Sequence, residues 1–295
     1  MAEDIDIGLI IKKAFKSIIH DPGYITLFLL PMLISVVFGV IMWFLLDIDF
    51  QALTQASSDP TLLASVLQNN LWSLVGIGIF YIVVISVVSV TVHAATIKKV
   101  EAQEKGDKLS VSEAFSAALP MFPRLFGATF LFGLLIVLPI LGLVGLMFFG
   151  IAANSTPLIC LSSGLLILLF IPLIYFVIRL CLFSQTCVVE NLGSVGCLKQ
   201  SWKITKGNVI LLFVTGLLLA IIAFAVMVPF IAINSAMTYS SISFDQLSSG
   251  TINSNPIGSL ANFIGQLLVQ LFITPVSLIT LTLVYFGLVK KHKNI

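Results

Sequence analysis

Six long apolar stretches constrain this chain more than any other feature. They are Tyr24–Leu46, Leu71–Ile97, Leu125–Ile151, Pro157–Phe183, Val209–Ile233 and about Asn262–Val289, and together they hold one formally charged side chain, Arg179. Each exceeds the roughly 20 residues a helix needs to cross a hydrocarbon core of about 30 Å. Of the 295 residues 59% are hydrophobic and only 9% charged, against about 25% charged in a soluble domain. The mean hydropathy is +1.13. Too little polar surface is left to cover so much apolar surface in water. A soluble globule, a disordered tail and a nucleic-acid binder are therefore excluded. The expectation is an all-α integral membrane protein with six spans arranged as three hairpins.

The fifteen Lys and Arg residues give the topology. Lys12, Lys13 and Lys16 precede the first stretch, and Lys98, Lys99, Lys105, Lys108 and Arg124 lie around the connection between the second and third. Arg179, Lys199, Lys203 and Lys206 lie at the next such connection, and Lys290, Lys291 and Lys293 follow the sixth stretch. The loops at about 47–70, 152–156 and 234–261 contain none. By the positive-inside rule, both termini are expected on the cytoplasmic side. The net charge of +2 adds little to this asymmetry. The first stretch follows acidic Glu3, Asp4 and Asp6 and is long for a signal-peptide core, so it reads as a retained span. Cys160, Cys181, Cys187 and Cys197 show no CxxC spacing. Three of them fall toward the reducing side, so no disulfide is expected. Asn154-Ser155-Thr156 matches a glycosylation sequon, but the loop is very short and Pro157 follows, so it reads as chance.

The segments on the expected cytoplasmic side repeat a pattern. Ile7, Ile10, Ile11, Ala14, Phe15 and Ile18 form one helical stripe opposite Lys12, Lys13 and Lys16, and Asp21-Pro22-Gly23 ends it. Val111, Ala114, Phe115, Ala118 and Leu119 repeat the spacing. Ser110 or Ser112 can cap this second helix, and Pro120 and Pro123 are expected to break the chain after it. A looser third copy has Val195, Leu198 and Trp202 beside Lys199, Lys203 and Lys206, ending at Gly207. Three repeats follow, at about 1–97, 98–189 and 190–295, within a single polytopic membrane domain. Each is read as a cytoplasmic amphipathic interfacial helix followed by a transmembrane hairpin. Lysines beside an apolar stripe suit anionic lipid headgroups, at about 1 kcal/mol per basic residue near the surface.

The segment Glu190-Asn-Leu-Gly-Ser-Val-Gly-Cys-Leu-Lys-Gln-Ser-Trp-Lys-Ile-Thr-Lys-Gly-Asn208 resembles the sequence before the fifth span in the membrane domains of glycerophosphodiester phosphodiesterase-type proteins and their stand-alone prokaryotic relatives. Gly106-Asp-Lys-Leu-Ser-Val-Ser-Glu-Ala-Phe115 is similar to the second-repeat motif of that group. In fused relatives the resemblance implies that the chemistry belongs to a soluble barrel after the membrane part. This chain ends at Ile295, six residues past Val289, so no soluble catalytic domain and no phosphodiesterase activity is expected.

Residues that could carry chemistry are few. No Asp or Glu sits mid-span, so an intramembrane carboxylate dyad has no candidate. His20, His93 and His292 are scattered, no HExxH or P-loop is present, and no serine has a sequence partner to activate it. The expectation is a non-enzyme without catalytic residues, bound metal or cofactor, and without nucleic-acid partners.

Two polar stripes are candidates for a groove: Ser86, Ser89, His93 and Thr96 on the second span, and Asn262, Gln266, Gln270 and Thr274 on the sixth. Buried amides in lipid need partners, so both stripes are expected to face protein or a wet cavity. A second candidate set, interfacial and able to meet headgroups, comprises Arg179, Glu190, Lys199, Trp202, Lys203 and Lys206. Arg179 is expected to snorkel to the interface. Glu190, 11 residues on, would return to the same face of a continuous helix about 16 Å away, too far for a direct contact, so either is expected to tie the third interfacial helix to another cytoplasmic segment or to meet a headgroup. Pro31, Pro139, Pro172, Pro229 and Pro275 are expected to kink their spans. Outside, Ser57-Ser-Asp-Pro-Thr61 reads as the start of a small cap helix reaching about Gln68.

Two functions remain. The first is a non-enzymatic protein of a prokaryotic cytoplasmic membrane that organises lipid or maintains the envelope, with membrane lipids as partners. The alternative is a transporter or permease-like protein for an amphiphile or small neutral solute.

Overall fold

The structure, a computed structural model, describes residues 6–46, 60–240 and 256–293. Glu3, Asp4 and residues 57–59 of the expected cap helix lie outside the described residues. Among those described, every element is helical. In order these are α1 (Ile7–His20), α2 (Gly23–Leu46), α3 (Pro60–Lys105), α4 (Val111–Ala118), α5 (Phe122–Ala152), α6 (Thr156–Leu180), α7 (Phe183–Val189), α8 (Ser194–Ile204), α9 (Val209–Ser240), α10 (Pro256–Leu268) and α11 (Thr274–Lys293). A 3₁₀ turn at Leu119–Met121 precedes α5, and a π-turn at Val269–Ile273 joins α10 to α11. Five helical stretches are long and apolar enough to cross a membrane, or six if the pair α1 and α2, bent by 78° at Asp21-Pro22, counts as one broken span.

Local chemistry explains most boundaries. The Asp6 carboxylate accepts from the Leu9 N–H at 3.1 Å and starts α1. Asp21 does the same for α2, accepting from the Gly23 N–H at 2.9 Å. Ser110 and Glu113 form a reciprocal capping box at the start of α4. Gly106 ends α3 with φ 88°, and the Asp107 N–H bonds back to Ala102, the left-handed turn that glycine adopts without penalty. Asn154 ends α5 in the same way at φ 50°, with the Ser155 N–H on the Gly150 carbonyl and the Asn154 N–H on Ile151. The asparagine of the chance sequon is thus a helix stop.

Three expectations about breaks are corrected. The stretch from Pro60 is not a separate cap helix but the beginning of one 46-residue helix running to Lys105. Pro120 and Pro123 do not break the chain. Each falls in the first turn of a helical segment, where its missing N–H has no partner to lose, so the path tightens to 3₁₀ and continues. The chain from Arg179 to Glu190 is not one helix either, because α6 stops at Leu180 and α7 restarts at Phe183.

The chain forms two compact units that cut across the three sequence repeats. In the first unit (Met1–Ile19, Val90–Leu218 and Val276–Ile295), α1 lies against the end of α3. Lys13 pairs with Glu104 at 2.5 Å, and the Gln103 amide donates to Ser17 at 3.2 Å. Glu101 lies between Lys98 and Lys105, at 2.8 and 2.6 Å. Ala14, Ser17 and Ile18 of α1 are buried, whereas Lys12, Lys13 and Lys16 are exposed. The core of this unit gathers Leu182, Ile204, Leu212, Val284, Tyr285 and Leu288. In the second unit (His20–Ser89 and Leu219–Pro275), Tyr81 of α3 donates to Ser35 of α2 at 3.0 Å and stacks on Phe38. Gly265 admits the Phe230 ring so closely that a Cβ there would lie 2.8 Å from it.

A disulfide joins Cys187 of α7 to Cys197 of α8, correcting the expectation that none forms. The turn between the helices, with Asn191 at φ 56°, brings the two Cα atoms within 5.0 Å. Compartment arguments address whether such a bond persists; they are silent on which cysteines the fold brings together. Alkylation of denatured, unreduced protein should modify Cys160 and Cys181 and leave Cys187 and Cys197 blocked, as read by peptide mass spectrometry. By loop entropy, Cys197→Ser should lower stability by about 2–3 kcal/mol in an unfolding titration.

Candidate functional site

The interfacial residues singled out in the sequence converge in the first unit, around α8. This 11-residue helix presents three faces. Cys197, Ser201, Ile204 and Thr205 form the buried one. The Ser201 hydroxyl donates to the carbonyl of Arg179 at 3.2 Å, and the Thr205 hydroxyl shares its one proton between that carbonyl at 3.0 Å and the carbonyl of Ser201 at 2.8 Å. That carbonyl belongs to the last turn of α6, where the helix itself supplies no donor, so α8 satisfies it. Thr186 of α7 donates to the Cys197 carbonyl at 2.9 Å, beside the disulfide.

The second face carries Leu198, Lys199 and Trp202. The Arg179 guanidinium lies over the Trp202 ring, 4.2 Å from its centroid, and 5.9 Å from that of Tyr175. Arg179 is only 4% exposed, covered by protein. It has no ion-pair partner among the described residues, and its Nε, buried, has no acceptor. A buried charge without a counter-ion is costly; the ring face offsets part of that cost, by about 2 kcal/mol for a desolvated pair. Beside it, Leu135, Phe176, Leu180, Leu198, Lys199 and Trp202 line an apolar recess of about 260 Å³. Another of about 260 Å³ lies between α5 and α6 and shares Leu135 and Phe176 with the first. Pro139 and Pro172 both line it, one from each helix of the hairpin.

The third face holds Gln200, Lys203 and Ile204. Glu190, at the end of α7, accepts from the Gln200 amide at 3.2 Å and from the Tyr285 hydroxyl at 2.8 Å. Thus Arg179 and Glu190 both engage α8, by different faces, and do not engage each other. Lys199, Lys203 and Lys206 are exposed.

The start of α8 is fixed from α5. Arg124 donates to the Asn191 carbonyl at 3.2 Å and to its side-chain oxygen, and Ser194 donates to the Arg124 carbonyl at 2.8 Å. The approach is so close that a Cβ on Gly127 would lie 2.5 Å from the Ser194 hydroxyl.

The two polar stripes behave differently. Ser86 and Ser89 are half-buried in the second unit, while His93 is half-buried and Thr96 fully buried in the first. Thr96 donates to the Val92 carbonyl at 2.8 Å, within its own helix. On the sixth stretch Asn262 is half-buried, and Gln266 and Gln270 are exposed. The π-turn at Val269–Ile273 contains Gln270 and shifts the helical phase between Gln266 and Thr274. Among the described residues no cluster of His, Cys, Asp or Glu could hold a metal.

Sequence reading missed Tyr285, Gln200, Arg124 and the pair Gly127 and Ser194. Tyr285 lies 95 residues from its partner Glu190, and no spacing signals such a bond. Gly127→Ala should cost about 1–3 kcal/mol by overpacking against Ser194. Adding Ser194→Gly should recover much of that loss in the same thermal-unfolding assay.

Comparison with known proteins gives one match. No curated protein and no solved structure matches the chain, and no link to the membrane domains of phosphodiesterase-type proteins emerges. The matching family model covers residues 121–286, a span that holds Arg124, Arg179, all of α8 and Tyr285. It takes in more than half of the chain, which therefore belongs to the family described as a domain of unknown function (DUF7847).

Proposed function

We propose that this protein is a non-enzymatic, lipid-organising component of a prokaryotic cytoplasmic membrane, with six spans and both termini in the cytoplasm. The observation that carries this reading is the unneutralised positive charge around α8. Arg179 is buried beneath Trp202 without a carboxylate, and Lys199, Lys203 and Lys206 stand exposed on or just after the same short helix. Such a surface at headgroup level attracts an anionic leaflet. The apolar recesses beside Trp202 and Lys199 give acyl chains a complementary surface. In the same reading α1, α4 and α8 lie in the interface, each ahead of a hairpin. The likeness of residues 106–115 and 190–208 to phosphodiesterase-type membrane domains supports a common origin for the membrane part alone.

The transporter alternative draws on the pair of polar stripes and on the proline-bearing spans. Reconstitution into nanodiscs of mixed anionic and zwitterionic lipid tests the main reading. Lipid co-purifying with the protein should be enriched in the anionic species, and the enrichment should fall as salt rises from roughly 0.05 to 0.5 M. The double variant Lys199→Gln/Lys206→Gln should weaken it by about 1 kcal/mol per lysine. Enrichment that ignores both salt and these lysines would overturn the proposal.

A further inference from the structure

On the third face of α8 lies a cavity of about 550 Å³, within the range of small-molecule sites. Gln200, Lys203 and Ile204, at i, i+3 and i+4, form one wall. Tyr285 and Val289, one turn apart on α11, form another, and the end of α7 at Val189 and Glu190 completes the lining.

The polar groups here are opposite in charge and unpaired with each other. One Glu190 oxygen accepts from Tyr285 and Gln200, which fixes the carboxylate in place. Among the described residues no group donates to the other oxygen, and neither Glu190 nor Lys203 has an ion-pair partner. The two sit on different elements of the same cavity and do not close into a salt bridge. A cavity that holds a carboxylate and an ammonium apart complements a ligand carrying both charges at separate ends. Lysine suits phosphate as a point charge. The apolar lining of Val189, Ile204 and Val289 fits the glycerol end of a lipid.

The geometry points to a binding site for an aminophosphate zwitterion of the phosphoethanolamine class, with its ammonium on Glu190 and its phosphate on Lys203. The lipid form of this ligand rests on the lipid-organising reading; the free form does not. Two arms distinguish the sources. In the first, full-length protein is released from nanodiscs of equimolar phosphatidylethanolamine and phosphatidylglycerol, and the retained lipid is read by native mass spectrometry. In the second, O-phosphoethanolamine, inorganic phosphate and ethanolamine are titrated calorimetrically into detergent-solubilised protein.

In the single lipid held through release, as distinct from the salt-sensitive anionic lipid around α8, phosphatidylethanolamine should exceed phosphatidylglycerol by about tenfold. Glu190→Gln should abolish most of that preference, and Lys203→Gln, whose phosphate contact both lipids offer, should lower the retention of either by about tenfold. Because Glu190 also holds Tyr285 and Gln200, the exposed Lys203 carries the test if the Glu190 variant fails to fold. Saturable binding of O-phosphoethanolamine, stronger than that of either half alone and lost in Lys203→Gln, assigns the site to a water-soluble ligand. Retention of the lipid alone assigns it to the headgroup. Absence of both, a preference that survives Glu190→Gln, or retention unchanged in Lys203→Gln overturns the proposal. Loss of anionic enrichment in the Lys199 and Lys206 experiment would leave the O-phosphoethanolamine arm standing, so the two readings fail separately.

Discussion

The carbonyl oxygen of Arg179 is the point on which the organisation around α8 depends. It belongs to the last turn of a long apolar helix, where four carbonyls lack intrahelical donors. Ser201 of α8 donates its hydroxyl to it, and Thr205, just past the end of α8, brings a second hydroxyl within 3.0 Å. This fixes α8 across the end of α6, and the rest of the cluster follows from its orientation. Trp202 then covers the guanidinium of the same arginine, and Gln200 reaches Glu190. Cys197 meets Cys187. One residue thus anchors the helix through its backbone and stacks on it through its side chain.

That arrangement leaves the buried guanidinium of Arg179 without a counter-ion among the described residues. Arg179 has the Trp202 and Tyr175 rings as partners, and rings offset only part of the desolvation of a guanidinium. The negative charge available nearby, on Glu190, is committed through one oxygen to Tyr285 and Gln200 on a different face. Segregating the charges costs stability that an internal salt bridge would recover. In the proposed reading, anionic or zwitterionic groups from outside the chain supply the missing partners.

Parts of this were legible in the residues. The apolar lengths located the long helices, and Ser110, one of two candidate caps, marked the start of α4. Arg179, Glu190 and Trp202 were candidates because a charge in an apolar run and a tryptophan among lysines are both costly to place at random. What failed was reasoning that assumed regular geometry. Glu190 was placed by counting 11 residues along one helix, but the break at Cys181 and Leu182 puts it on a different face of α8 from Arg179. The four-residue spacing from Gln266 to Thr274 runs through a π-turn, which no periodicity announces. Pro120 and Pro123 were read as stops, although first-turn positions tolerate proline.

By itself, the sequence determined that the chain is helical and apolar on a membrane scale, and where most helices begin and end. Those properties follow from side-chain composition and from caps within a few residues of one another, so they are local. Only the tertiary structure decided that Tyr285 meets Glu190, that Gly127 makes room for Ser194, and that Cys187 reaches Cys197. Each of these depends on how a turn reverses the chain or how two helices approach. A change of one residue in a turn rotates the following helix by about 100°, so such contacts are set by geometry accumulated along the chain and not by spacing.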